Sequence, residues 1–205
     1  MRFSSLLAAA VAVVPAFAAP SPASPTAGAS NANQVVTALG AIQSQLVSLQ
    51  SNVDNFDGGL FDIVPLLNIQ NGATTLGNKI NSATSLIKKQ PTAYSQSDTL
   101  TISTALLGFV PNINTTLVAI IDKKSVFDHS ILDLVSVSWL VYNDITTLHT
   151  DTTNLANALQ AKFDPVLVSA VTQIVNEING WFSQAESVYA GSGLIDLKKR
   201  EELSA

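Results

Sequence analysis

Residues 131–142 (Ile-Leu-Asp-Leu-Val-Ser-Val-Ser-Trp-Leu-Val-Tyr) are apolar on nearly every side when wound as a helix, with only Asp133, Ser136 and Ser138 interrupting. A helix that is hydrophobic all round belongs either in the middle of a bundle or in a membrane. Spanning a bilayer takes about 20 apolar residues, and this run is shorter and carries an acid. The stretch therefore predicts the central helix of a soluble bundle, packed by neighbours on several sides.

The rest of the chain supplies those neighbours. Val35, Leu39, Ile42, Leu46, Leu49, Val53 and Phe56 alternate four and three apart, an amphipathic helix that Asp57-Gly58-Gly59 should stop. A second series runs Leu66, Ile69, Ala73, Leu76, Ile80, Ala83, Ile87, and its small residues (Ala73, Gly77, Ala83) invite a close neighbour. Whether it starts before or after Pro65 is left open. Ser95-Gln96-Ser97-Asp98 resembles a capping box and opens a third helix through Ile102, Leu106, Phe109, Ile113, Leu117 and Ile120. Pro111 inside it predicts a kink. Ser125 to Asp128 offers a similar cap for a fourth helix over residues 126–162, about 55 Å long, with low propensity and a bend in its Thr-rich part. Asp164-Pro165 caps a fifth, carrying Leu167, Val171, Ile174, Ile178, Trp181, Ala185 and Val188 and ending at Gly191. The fold class is thus all-α, an antiparallel bundle of about five long helices.

Composition narrows the compartment and the partners. Met1-Arg2-Phe3, an apolar run to Val14 and Ala16-Phe17-Ala18 form a signal peptide over residues 1–18, cleaved after Ala18. Residues 19–32 are a Pro/Ser/Ala-rich flexible leader, residues 33–191 the helical domain, and residues 192–205 a charged flexible tail. There is no cysteine, so packing and not disulfides must hold the fold outside the cell. Hydrophobic residues make up 47% and charged residues only 12%, about half the usual charged share. Such a surface is weakly solvated and adsorbs to apolar material; attached glycans are the plain alternative source of solubility. Net charge is −5, and the basic pairs form no stripe but sit at expected helix ends where they complement the dipole, so nucleic acid is not the expected partner.

Phe56-Asp57-Gly58-Gly59 after the first helix, the series Leu148, Thr152, Leu155, Ala158, Leu159, Lys162 and Pro165, and a last helix ending near Tyr189 together resemble the fungal hydrophobic-surface-binding protein family, which includes the cell-wall galactomannoproteins. The resemblance covers residues 35–190. It implies a secreted helical domain that adsorbs to hydrophobic surfaces and helps recruit a polymer-degrading enzyme; some relatives sequester fatty acids between their helices. Wall-anchored members carry a Ser/Thr-rich stalk and a hydrophobic anchor signal. This chain ends Lys199-Arg200-Glu201-Glu202-Leu203-Ser204-Ala205, so a freely secreted protein, loosely wall-associated at most, is expected.

Catalytic signatures are lacking. The sequence has no Gly-x-Ser-x-Gly, no His-Glu-x-x-His and no cluster with metal-ligand spacing, so neither an enzyme nor a cofactor is expected. His129 and His149 lie about 30 Å apart if one straight helix carries both, and His129 with Asp133 reads as a surface pair. Asn114-Thr115-Thr116 is the sole N-glycosylation sequon. Lys199-Arg200 fits a dibasic processing site, though a solvated tail explains it as well. Leu106, Phe109, Ile113, Leu134, Trp139, Val141 and Trp181 are the candidates for contact with a lipid or an apolar surface; for Trp139, Trp181 and Phe109 ordinary core packing is the stronger reading. The expected function is adsorption to hydrophobic surfaces with fatty-acid binding between helices. The alternative is a structural or antigenic wall glycoprotein without a specific ligand.

Overall fold

The computed structural model describes residues 30–59, 63–130 and 136–191. The cleavage site after Ala18, most of the leader, Leu134 and the Lys199-Arg200 pair lie outside the described residues. Six helices follow in order: α1 (Ala32–Asp54), α2 (Ile63–Lys88), α3 (Gln96–Asp122), α4 (Lys124–Asp128), α5 (Ser138–Gln160) and α6 (Pro165–Tyr189). Five are long and α4 spans one turn; no strand occurs among the described residues.

The heptad reading fixes α1 closely. Val35, Leu39, Ile42, Leu46, Leu49 and Val53 are all buried, with Phe56 just beyond the helix, because steps of four and three keep one stripe facing the core. Gly58 then takes a φ of +71°, and a Cβ on it would lie 2.7 Å from Val126 Cγ1, so the turn needs glycine. α2 begins before Pro65, which sits in the first turn, where no intrahelical donor is lost. Ser95 Oγ accepts the Asp98 N–H at 3.1 Å and opens α3, which runs unbroken through Pro111 on its exposed side. Asp164 caps α6 by accepting the Val166 N–H at 3.0 Å. In α6 the buried residues are Val171, Ile178, Phe182, Ala185 and Tyr189. Phe182 and Tyr189 therefore point inward in place of the expected Trp181 and Val188, one position earlier.

The long helices close into a ring in the order α1, α2, α5, α6, α3 and back to α1. Cross-seam hydrogen bonds give the directions. Gln45 to the Gly72 carbonyl and Asn52 to the Asn68 carbonyl run α1 against α2. Gln70 to Asp144 and Asn81 to Asp151 run α2 along α5. Consecutive long helices thus alternate in direction, while the non-consecutive neighbours α1/α3, α2/α5 and α3/α6 are parallel.

Among the described residues no helix occupies the middle of the ring, and residues 138–142 belong to α5, one of its walls, which corrects the expectation of a central helix over residues 131–142. The long fourth helix over residues 126–162 is also corrected: α4 ends at Asp128 and α5 starts at Ser138. Residues 131–135 lie outside the described residues; at the edges, helical pairing gives way to other bonds. His129 Nδ1 and Ser130 Oγ both turn back onto the carbonyls of Ser125 and Val126, at 2.8 Å each, and compete with the helix for them. The Val137 N–H then reaches the Phe127 carbonyl at 3.0 Å. Ser125 lies inside α4 and caps nothing; the cap position is Lys123, without a side-chain bond. His129 and His149 consequently do not share one straight helix. The Thr-rich part of α5 stays helical, its threonine hydroxyls bonding back to carbonyls one turn earlier.

Candidate functional site

The interior of the ring is apolar. Among the described residues the buried polar side chains are Thr84, Gln90, Thr99, Thr116, Ser130 and Ser138, and no Asp, Glu, Lys, Arg or His is buried. Each end is closed differently. At the end where α1, α3 and α6 begin, the Tyr94 hydroxyl donates to Asn31 Oδ1 at 2.6 Å and Asn31 Nδ2 to the Leu86 carbonyl at 2.7 Å. Burial, with the Asp98 charge, pushes the Tyr94 hydroxyl up to about 12. At the opposite end Phe56 stacks on Phe127 at 5.0 Å and Phe127 meets Tyr189 edge-on at 6.3 Å. The buried Tyr189 hydroxyl donates to the Ile120 carbonyl at 2.6 Å, and Lys124 lies 5.2 Å from the Tyr189 ring centroid.

Charge is confined to the outside. Asp128 accepts from Lys124 and from Ser138 Oγ. Burial raises its carboxyl, but these bonds and the Lys124 and His129 charges outweigh that and hold it below the usual carboxylate range. Asp144, bonded to Gln70, is pushed the other way by burial. A polar surface groove of about 330 Å³ runs between α2 and α5, lined by Asn78, Asn81, Asn143, Asp144, Thr147 and Asp151 among others, and floored by Gly77. His149 stacks flat on Phe182 at 4.9 Å and bonds to Glu186 at 2.9 Å and Asn179 at 3.3 Å, fastening α5 to α6. Among the described residues no three His, Cys, Asp or Glu side chains converge as metal ligands.

The predicted contact residues do not form one cluster. Phe109, Ile113 and Val141 are buried in the common core, and Leu106 and Trp181 are half-buried against it. Trp139 stands 54% exposed at the start of α5, two helices around the ring from α3. Phe109 and Trp139 therefore do not face a shared space. Asn114 is half-buried on α3.

Two outward apolar regions contain residues that the sequence reading did not single out, apart from Trp139. Ile63, Val64 and Leu67 are exposed at the start of α2, level with Trp139 and Tyr142 at the start of the parallel α5. Leu100, Leu107 and Val118 are exposed along α3. α3 has a mean hydropathy of 1.6 over its most apolar 18-residue window, of which 33% is buried; by length and composition it could cross a membrane. Here its buried face packs in the ring and its excess apolarity faces out. The available signal was a second run of large apolar residues off the buried seam, which the seam itself obscured.

Residues 32–161 match the family described as hydrophobic surface binding protein A, HsbA. No curated protein sequence matches the chain significantly. Among solved structures the fold resembles AFMP4P in complex with palmitic acid, with a TM-score of 0.72 and 28% identity over 78% of this chain and 99% of that one. It also resembles ligand binding domain 2 of the Penicillium marneffei MP1 protein complexed with multiple arachidonic acids, with a TM-score of 0.68 and 14% identity over 78% and 96%. Ligand binding domain 1 of the same protein, complexed with arachidonic acids, gives 0.67 and 12% over 78% and 97%. At those two identities the likeness is one of fold alone.

Proposed function

The chain belongs to the hydrophobic surface binding protein A family, and from that premise we propose that it is a secreted, non-enzymatic protein that adsorbs to hydrophobic surfaces and holds a fatty acid between its helices. The observation that carries this reading is a closed ring of five helices whose described interior contains no charged side chain. An acyl chain placed among Ile102, Phe109, Ile113, Ile145 and Ile178 would meet only hydrocarbon. The resemblance to AFMP4P, solved with palmitic acid, supports the same ligand class. Adsorption is assigned to the outward apolar regions, chiefly Ile63, Val64, Leu67, Trp139 and Tyr142 at one end of the bundle. Recruitment of a hydrolase to an apolar polymer would follow from adsorption, with the polar α2/α5 groove left facing the solution.

Native mass spectrometry and lipid extraction of protein secreted by its own host test this reading. Co-purifying fatty acids are expected. A protein that emerges bare, binds no added fatty acid and does not adsorb to apolar beads would refute it.

A further inference from the structure

The five seams of the ring are held differently. Four are laced by side-chain hydrogen bonds along their length: α1/α2 by Gln45 and Asn52, α1/α3 by Gln43 and Thr115, α2/α5 by Gln70 and Asn81, and α5/α6 by His149, Thr153 and Gln160. Among the described residues the α3/α6 seam has such bonds only at its two ends. There the Asp164 N–H donates to Thr99 Oγ1 at 3.2 Å, and the Tyr189 hydroxyl donates to the Ile120 carbonyl at 2.6 Å.

Between those ends the facing flanks are mostly hydrocarbon. Leu167, Ile174, Trp181 and Val188 recur every seventh residue along one side of α6, and Leu106 and Val110 lie on the facing side of α3. All six are partly exposed and none is buried. Parting this seam breaks only dispersion contacts, which an incoming alkyl chain replaces. Parting any other seam breaks hydrogen bonds that an alkyl chain cannot remake. On the same side of α3, one turn before Leu106, the Ser103 hydroxyl is buried without a partner. Thr101, Thr104 and Thr116 on that helix bond back to carbonyls one turn earlier. Ser103 lies near the end where α1, α3 and α6 begin, so the positive ends of three helix dipoles point toward a head group there; the charged side chains at that end are mixed, with Lys88, Lys89 and Lys162 beside Asp98 and Asp164.

Resting on the fatty-acid reading above, we infer that the α3/α6 seam is the door through which an acyl chain passes into the bundle, with its carboxyl group held at Ser103 and its tail directed toward the Phe56–Phe127–Tyr189 plug. The seam opens along its middle while Thr99–Asp164 and Ile120–Tyr189 hold its ends.

The absence of cysteine from the chain allows a clean test. Val110→Cys with Ile174→Cys, joined by a short reducible cross-linker, clamps the door; Thr74→Cys with Thr147→Cys clamps the α2/α5 groove as control. Uptake of palmitic acid is followed by stopped-flow tryptophan fluorescence. The door clamp should slow uptake at least tenfold and reductant should restore it, while the control clamp leaves the rate unchanged. Wild-type uptake rates in the clamped door variant, or equal slowing by both clamps, would overturn the assignment. Failure of unclamped wild-type protein to bind at all would instead remove the fatty-acid reading beneath it. Ser103→Ala should weaken palmitic acid binding about three- to tenfold, the worth of one hydrogen bond; unchanged affinity would overturn the head-group placement.

Discussion

Ser138 Oγ donates a 2.6 Å hydrogen bond to Asp128 Oδ1, joining the first residue of α5 to the last of α4. With Lys124 on the same carboxylate, this contact ties the end of α4 to the start of α5.

Asp128 and Asp144 should respond to pH with opposite signs. The Asp128 carboxyl is held low, so as pH falls the unfolded chain takes up its proton first. Its contribution is full above the ordinary carboxylate range and is lost as pH falls through the folded-state value. Asp144 is raised by burial, so its contribution is greatest at low pH and is lost as pH rises through its raised value. Asp128→Asn should therefore lower the melting temperature at neutral pH, and Asp144→Asn should not. Thermal melts between pH 3 and 7 decide it; equal losses from both variants would contradict the assignment.

Much of the architecture was legible because packing and periodicity coincide. The α1 stripe from Val35 to Phe56 is buried as its spacing demands, and the caps at Ser95 and Asp164 form as their sequences suggest. The break after Asp128 was not legible. Apolar periodicity continues across it, whereas the Phe127 carbonyl, which a continuing helix would pair with the N–H four residues on, accepts the Val137 N–H instead. The same limit hid the ring. A stretch that is apolar all round reads as central, yet Trp139 within it is exposed and the middle of the bundle is shared by five faces. Trp181 and Val188 fell on the heptad, but a straight helix drifts from a seven-residue repeat, and Phe182 and Tyr189 take the interior.

Tyr189 closes one end of the bundle with a fully buried ring and a buried hydrogen bond. Tyr189→Phe keeps the ring but leaves the Ile120 carbonyl without this donor. A loss of about 1–3 kcal/mol is expected, read from urea unfolding midpoints. An unchanged midpoint would mean that water already serves that carbonyl.

Two glycines separate strain from close packing. Gly58→Ala must hold a positive φ and displace Val126, 2.7 Å from the new Cβ, so a loss of about 1–3 kcal/mol is expected. At Gly77 an added Cβ meets the Asp151 carboxylate tip at 3.1 Å, which can shift, and alanine gains helix propensity of about 1 kcal/mol. Gly77→Ala should be near neutral. Thermal unfolding of the pair checks the contrast, and a Gly58→Ala variant as stable as wild type would contradict it.

Adsorption should depend on the exposed apolar end. Leu67→Ser with Trp139→Ser removes exposed side chains, so stability should change by no more than about 0.5 kcal/mol per site. The concentration needed to half-cover polystyrene beads should rise about tenfold or more. Moderate salt should not release wild-type protein, because screening acts on charges and not on apolar contact. Undiminished adsorption by the double variant would move the contact to the outer face of α3.

The most direct measurement is the affinity of the folded protein for saturated fatty acids of increasing length, titrated with tryptophan fluorescence as readout. Each methylene buried in the ring contributes about 0.8 kcal/mol, which is about fourfold in Kd. Affinity should therefore climb steeply from ten to sixteen carbons and change little when Lys88, Lys89 or Lys162 is singly replaced by Gln. A flat affinity across chain length, or no binding by properly folded protein, would contradict an apolar interior that takes up an acyl chain.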